Sequence, residues 1–181
     1  MSASEEFDVT FAAALARPWV SSRILPGLDD PVYDQIASAQ LFNLGRAAEA
    51  RTFAERAFGR LPDSQEAAVH LVEVCLALGD YRKASEVLTP FLTGSQAVRY
   101  EVYSLAGEAL LKSGDFATAV AVLDQAVSHF GLNAALLNAL GDAYRGLGKR
   151  EEALASYEKS LQLSPDQPQI KKKADELRQK K

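Results

Sequence analysis

The amino-acid sequence predicts an all-α protein made of four stacked helix pairs and closed by a C-terminal capping helix. Four short turns carry this prediction, because each centres on a glycine that follows one amphipathic stretch and precedes another. The turn glycines are 34, 35 and 34 residues apart: Gly45, Gly79, Gly114 and Gly148. A helix often ends on a residue that tolerates a positive φ, and a period of this length indicates a solenoid of two-helix repeats.

Small residues mark the places where the two helices of each repeat should cross. Two helices that pack as a close antiparallel hairpin require a small side chain at the crossing. Seven positions before the turn glycine, the last two repeats carry Gly107 and Gly141, and the first repeat carries Ser38. The second repeat carries Val72 there, which predicts a slightly wider hairpin. Five positions after the turn glycine, every repeat carries an alanine: Ala50, Ala84, Ala119 and Ala153.

The repeat predicts eight helices in residues 31–164. Proline cannot donate a backbone hydrogen bond, so Pro90 is expected to kink or shorten the fourth helix. The predicted helices are 31–44, 48–61, 65–78, 82–92, 100–113, 116–129, 134–147 and 151–163.

The C-terminal segment, residues 168–181, predicts a final helix that caps the array. Ile170, Ala174 and Leu177 form a narrow apolar stripe on an otherwise polar helix, and the end of a solenoid requires one wet face. The basic residues of the segment are interpreted as a solvated face favoured near a helix C-terminus, not as a nucleic-acid or membrane site. They are Lys171, Lys172, Lys173, Arg178, Lys180 and Lys181.

The N-terminal segment, residues 1–30, does not follow the repeat. A helix over 5–17 would place Phe7, Phe11, Ala14 and Leu15 on one face, whereas the alternation of 7–11 also fits a strand, for example one left from an upstream domain. The helix is favoured, followed by a linker in which Trp19 packs the segment onto the first repeat.

The last repeat, residues 134–167, resembles the tetratricopeptide repeat family. The other repeats, at 31–64, 65–99 and 100–133, share its period. The resemblance implies a right-handed superhelical solenoid whose concave groove is lined by the first helix of each repeat. The matching residues of the last repeat are Leu137, Leu140, Gly141, Tyr144, Gly148, Ala153, Tyr157 and Pro165.

Composition and motifs argue against several classes of function. A net charge of −4 is a poor match for nucleic acid. The start of the chain is acidic, unlike a secretory signal, and no apolar run reaches the roughly 18 residues of a membrane helix. The chain as given is therefore expected to be cytoplasmic, although a fragment could have lost a signal.

No catalytic constellation is expected, and neither is a cofactor or a metal. His70 and His129 lie on different repeats without ligands at metal-binding spacing and are interpreted as surface residues. Cys75 cannot form an internal disulfide and is interpreted as a small buried hydrophobe. No nucleophile elbow, phosphate loop or dinucleotide fingerprint occurs.

Chaperone-binding members of the family hold the C-terminal carboxylate of Hsp70 or Hsp90 with a clamp of Lys, Asn and Arg side chains. Neither register of three successive repeats carries such a clamp here. The first register has other residues at those positions, so an Hsp70 or Hsp90 tail is not an expected ligand: Gln35, Ala39, His70, Glu101 and Leu105.

The resemblance implies a scaffold that binds a peptide or partner protein in the groove. Glu73, Glu108 and Asp142 share one groove position and predict an unpaired acidic strip. This strip is either a solvated face or a site for which a partner would supply a basic segment. The alternative is a structural domain that self-associates or docks within a larger polypeptide. The candidate groove residues are Phe42, Glu66, Val69, His70, Glu73, Glu101, Leu105, Glu108, Asn138 and Asp142.

Overall fold

The computed structural model describes residues 31–94 and 97–179, and all regular secondary structure in these ranges is helical. The all-α prediction is confirmed, and the bounds of the eight repeat helices differ from the predicted ones by at most one residue. Residues 5–17, for which a helix and a strand were both considered, lie outside the described residues. Trp19, Lys180 and Lys181 also lie outside them. The helices are α1 Pro31–Asn43, α2 Ala47–Arg60, α3 Gln65–Ala77, α4 Tyr81–Thr93, α5 Tyr100–Ser113, α6 Phe116–Phe130, α7 Ala134–Gly146, α8 Arg150–Leu163 and α9 Pro168–Gln179.

The turn glycines end their helices as the sequence predicts. Gly45, Gly79, Gly114 and Gly148 have φ values of 73°, 76°, 84° and 72°. After each glycine, the next residue donates its backbone N–H to a carbonyl five residues earlier, as Lys149 does to Tyr144 at 2.9 Å. This hydrogen bond closes a Schellman motif, which requires the left-handed conformation that glycine adopts without strain.

The chain divides into two compact units, Met1–Val87 and Leu88–Lys181. In the first unit, α1 packs on α2 and α2 packs on α3. Ser38 occupies the crossing of α1 and α2 and is fully buried. Its hydroxyl donates a hydrogen bond to the carbonyl oxygen of Ala50 at 2.9 Å. A serine is therefore accommodated at the crossing because its one polar hydrogen has an acceptor on the opposite helix.

In the second unit, α5 packs on α6, α6 on α7, α7 on α8, and α8 on α9. The predicted crossings at Gly107 and Gly141 are confirmed. A Cβ atom on Gly107 would lie 2.7 Å from a methyl carbon of Leu123, and one on Gly141 would lie 2.3 Å from the Tyr157 ring. Both glycines are required because a side chain would occupy space already filled by the opposite helix.

Pro90 does not shorten its helix, which was one of the two effects expected of it. α4 continues three residues beyond it, to Thr93. Pro90 is exposed and close to the helix C-terminus, so its missing N–H removes one backbone hydrogen bond near a helix end. The hydroxyl of Thr93 also donates to the carbonyl oxygen of Thr89 at 3.1 Å, which supports the last turn.

The capping helix α9 packs its apolar stripe on α8. Ile170 and Ala174 are buried in a cluster with Ala153 and Tyr157. Arg150, at the start of α8, donates a hydrogen bond to the carbonyl oxygen of Leu177 at 2.6 Å. None of the described helices is long and apolar enough to cross a bilayer.

Candidate functional site

The first unit places His70 at the centre of the groove residues predicted there. Its Nε2 lies 2.8 Å from the Ser38 hydroxyl oxygen, and its ring contacts the Phe42 ring edge-on with centroids 6.0 Å apart. Because the Ser38 hydroxyl already donates its one hydrogen to the carbonyl oxygen of Ala50, Nε2 must be the donor in its hydrogen bond with Ser38. His70 therefore links α3 to α1, with 18% of its side chain exposed, and is not the surface residue that the sequence suggested.

Val69 was predicted as an apolar groove contact, and the structure contradicts this. The residue is 7% exposed and belongs to the core. α3 buries seven residues spread around its circumference, so apolar periodicity on this helix cannot single out a groove-facing position. On the same helix, Glu66 is exposed and Glu73 is partly exposed, with its carboxylate 3.6 Å from Nδ1 of His70.

The second unit contains a cleft of about 550 Å³ between α5 and α7. Two predicted groove residues, Glu108 and Asp142, line it. From the sequence, Lys173 was expected only in the cap, and Leu111, Phe116 and Gly146 were not expected in the groove. The lining residues are Ser104, Glu108, Leu111, Lys112, Phe116, Ala139, Asp142, Arg145, Gly146 and Lys173.

The floor of the cleft is apolar and close-packed. A Cβ atom on Gly146 would lie 2.4 Å from Cγ of Phe116, so the aromatic ring rests directly on the backbone of α7. Leu111 and Ala139 complete the apolar lining. Any side chain at position 146 would displace the ring, because a contact below 3 Å is far inside van der Waals separation.

Asp142 is not the unpaired groove acid that the sequence predicted. Nζ of Lys173 donates to both carboxylate oxygens, at 2.6 and 2.8 Å, and the Tyr157 hydroxyl donates to Oδ1 at 2.7 Å. Burial, followed by this hydrogen bond to Asp142, raises the pKa of Tyr157. The partners lie on α8 and α9, so Asp142 joins the cap to the last repeat.

Glu108 keeps a carboxylate that a partner can reach. Its counter-ion is Lys112, one turn later on α5, with Nζ 3.0 Å from Oε1. Both side chains are about half exposed, at 48% and 47%. Exposed pairs of this kind contribute only about 0–1 kcal/mol, so a better-placed cation can replace Lys112.

The remaining predicted groove residues lie outside the cleft lining. Glu101 pairs with Arg99 at the start of α5, and Leu105 is partly buried. The amide nitrogen of Asn138 donates to Oε1 of Gln167 at 2.7 Å, while the amide nitrogen of Gln167 donates to the carbonyl oxygen of Ser164 at 2.7 Å. Asn138 thus holds the connection between α8 and α9.

His129 and Cys75 have environments of different kinds. His129 is exposed and packs beside the rings of Tyr103 and Phe130. Cys75 is buried, as the sequence predicted, and burial raises the pKa of its thiol. Within the described part of the chain, no three His, Cys, Asp or Glu side chains are grouped to hold a metal ion.

Comparison with known protein families identifies the repeats. Tetratricopeptide repeat models match residues 41–90 and residues 105–168, which together cover more than half of the chain. The chain belongs to the tetratricopeptide repeat family. No curated protein matches the sequence.

Solved structures share the fold at low sequence identity. The chain is similar to MamA, residues 41 to the end, from Desulfovibrio magneticus RS-1, with a TM-score of 0.74 and 20% identity over 83% of this chain and 84% of that one. It is also similar to TTC0263, a thermophilic tetratricopeptide repeat protein from Thermus thermophilus. That comparison gives a TM-score of 0.60 and 19% identity over 95% of both chains. At these identities the likeness establishes an all-α repeat solenoid.

Proposed function

We propose that this protein is a scaffold that binds a Lys- or Arg-bearing segment of a partner protein, and that it is not an enzyme. Tetratricopeptide repeats are protein-interaction modules, which supports the general role. The observation that carries the finer proposal is the cleft of the second unit, where the half-exposed carboxylate of Glu108 stands beside an apolar floor.

The cleft suits the two chemical parts of a basic side chain. Its volume of about 550 Å³ is sufficient for one or two side chains of a bound segment. Lys and Arg pack their aliphatic stems on apolar surface while the charged head remains in a polar environment. The stem would lie on Leu111, and the head would pair with Glu108.

The charged contact is assigned to Glu108 because Asp142 is already satisfied within the chain. Displacing Lys173 from Asp142 would break two short hydrogen bonds that also anchor α9. Displacing Lys112 from Glu108 breaks one exposed ion pair. In the first unit, Glu73 offers a similar carboxylate, with 42% of its side chain exposed.

The proposal is tested by replacing Glu108 with Gln, which keeps size and hydrogen bonding but removes the charge. Partners captured from a lysate of the source cells at low salt are identified, and their affinity is measured for the parent and for Glu108→Gln. Glu152→Gln, an exposed acid on α8, is the matched control.

We expect Glu108→Gln, but not Glu152→Gln, to slow association and weaken binding. Binding to the parent should also weaken as salt is added, because exposed charges are screened over about 10 Å at 0.1 M. Equal binding by both variants, or binding that is insensitive to salt, would refute the basic-segment proposal.

Self-association is the second candidate function, and an exposed apolar face on α1 favours it. Tyr33 is 40% exposed, whereas the residues at the same repeat position are buried, Ala67 and Leu136 at 2% and Val102 at 0%. Ile36, on the same face, is 49% exposed. If a second copy stacks on this face, light scattering should show a dimer. The substitution Ile36→Lys should convert that dimer to a monomer. A monomeric parent would exclude this function.

A further inference from the structure

We infer that the cleft of the second unit also recognises an acidic side chain of the partner, through Arg145, next to an apolar side chain seated on the Phe116 floor. This inference rests on the proposed function and specifies the partner of the same site. The partner segment would then present an Asp or Glu beside an apolar anchor, in addition to the cation for Glu108.

Arg145 lies near Asp142 but outside hydrogen-bond distance of its carboxylate. Oδ1 of Asp142 already accepts hydrogen bonds from Lys173 at 2.6 Å and from Tyr157 at 2.7 Å. The guanidinium of Arg145 is 3.8 Å from the same oxygen, which exceeds hydrogen-bond distance. Among the described residues, this is the single acid that Arg145 contacts.

The charged side chains that line the cleft do not balance. The lining contains three cations and two acids. Lys112 pairs with Glu108, and Lys173 pairs with Asp142. Arg145 shares Asp142 with Lys173, so among the described lining residues one positive charge is in excess, and charge complementarity favours one negative charge on the ligand. A guanidinium has five N–H donors and binds a planar carboxylate through two of them.

The acidic side chain and the apolar side chain of the bound segment would lie close together. Arg145 immediately precedes Gly146, whose backbone carries the Phe116 ring. A carboxylate bound to Arg145 would therefore be close to any side chain that covers the ring. The Arg145 side chain is 47% exposed, so it can be reached without a rearrangement of α7. An acidic residue and an apolar residue that are neighbours in the bound segment match this arrangement.

The test uses a displayed library of random short peptides selected on the full-length protein, so no partner has to be known. Parallel selections use Arg145→Gln and the control Arg82→Gln, which removes an arginine whose side chain is 88% exposed on α4. A second pair tests the floor: Ala139→Leu fills the cleft, and Ala135→Leu adds the same side chain at an exposed position of α7 outside the lining. Thermal unfolding checks that every variant is folded.

We expect peptides enriched on the parent, on Arg82→Gln and on Ala135→Leu to carry an Asp or Glu next to a large apolar residue. Arg145→Gln should bind such a peptide about tenfold more weakly, a loss of about 1.4 kcal/mol, since it removes hydrogen bonds between two charged groups. A Glu→Gln change in the peptide should cause the same loss on the parent and little further loss on Arg145→Gln. Ala139→Leu should lose binding altogether.

Two outcomes would overturn the inference, and they differ in what they say of the function. Enriched peptides that lack an acidic residue, or that bind Arg145→Gln as tightly as the parent, would overturn the inference and leave the scaffold proposal standing. If no peptide were enriched above background on any of the proteins, both the inference and peptide binding in the cleft would be wrong.

Discussion

Single residues set how closely the helices of this protein approach. At Gly141, the absence of a side chain lets the ring of Tyr157 lie against α7, and the Tyr157 hydroxyl then reaches Asp142. Ser38 permits a similar crossing in the first unit because its hydroxyl donates a hydrogen bond to the carbonyl oxygen of Ala50. In both places one small residue determines the packing of a helix pair, because interiors have little spare volume.

Replacing Gly141 with Ala should destabilise the protein, although alanine is the better helix former. The gain in helix propensity is about 1 kcal/mol, whereas overpacking typically costs about 1–3 kcal/mol, and the displaced ring would also strain its bond to Asp142. Gly59→Ala is the control, because a Cβ there meets nothing within 4 Å, and it should be neutral or stabilising. Urea unfolding measures both, and a stabilised Gly141→Ala would contradict the crossing described here.

Tyr157 should make the stability of the folded protein fall at high pH. Its pKa is raised by burial and by the bond to Asp142, so the folded state retains a proton that the unfolded chain releases above its ordinary pKa of about 10. The free energy of unfolding should therefore decrease as pH rises from about 9 to about 11, and less steeply in Tyr157→Phe. Identical pH dependence in the two proteins would show that Tyr157 does not carry this effect.

Among the helices, α9 has two roles that the structure separates. Its apolar stripe covers α8 through Ile170 and Ala174, and its Lys173 reaches the cleft to neutralise Asp142. The cap thus protects the end of the solenoid and also sets the charge of the candidate site, because Asp142 would otherwise face the cleft without the cation of Lys173.

Removing α9 should lower stability more than removing one of its charges. Deletion of 168–181 exposes Tyr157 and Ala153, so melting temperature or solubility should fall markedly. Lys173→Gln should cost roughly 1–3 kcal/mol, because it leaves Asp142 short of a charged donor, and the exposed neighbour Lys172→Gln should cost little. If Lys173→Gln and Lys172→Gln melted alike, the link between α9 and Asp142 would be unimportant for stability.

At the scale of the whole molecule, the chain forms two compact units, and each has its own candidate surface. The first unit offers Glu66 and Glu73 on α3, and the second offers the charged cleft with its apolar floor. In repeat proteins each helix pair contacts only its neighbours, so a run of repeats can retain its structure when others are removed.

A fragment that begins at residue 97 should therefore fold without the rest of the chain. It contains α5 to α9, all of the cleft-lining residues and the cluster beneath the cap. Far-UV circular dichroism should show a helical spectrum with a cooperative but lower melting transition, and the fragment should select the same peptides as the full chain. A spectrum typical of unfolded chain would show that α5 to α9 depend on the residues that precede them.

The sequence by itself determined the features that depend on local chemistry. The turn glycines require positive φ, the crossing glycines require small volume, and apolar periodicity defines each helix, so family, helix bounds and the cap could be predicted from residue types and spacing. The N-terminal segment lacks such a pattern, and its two interpretations remained open. Pro90 was expected to kink or shorten α4, and the helix is not shortened, because the cost of a proline depends on how near the helix end it falls.

Only the tertiary structure decided which charges meet and which apolar residues remain accessible. Asp142 looked unpaired because its partner, Lys173, lies 31 residues away on a helix that reaches it only after α8 and α9 have packed. Val69 looked accessible because periodicity cannot show that α3 is enclosed on most of its sides. The cleft floor joins Phe116 to Gly146 across two repeats, and such contacts follow from how helices stack, which no single stretch of sequence specifies.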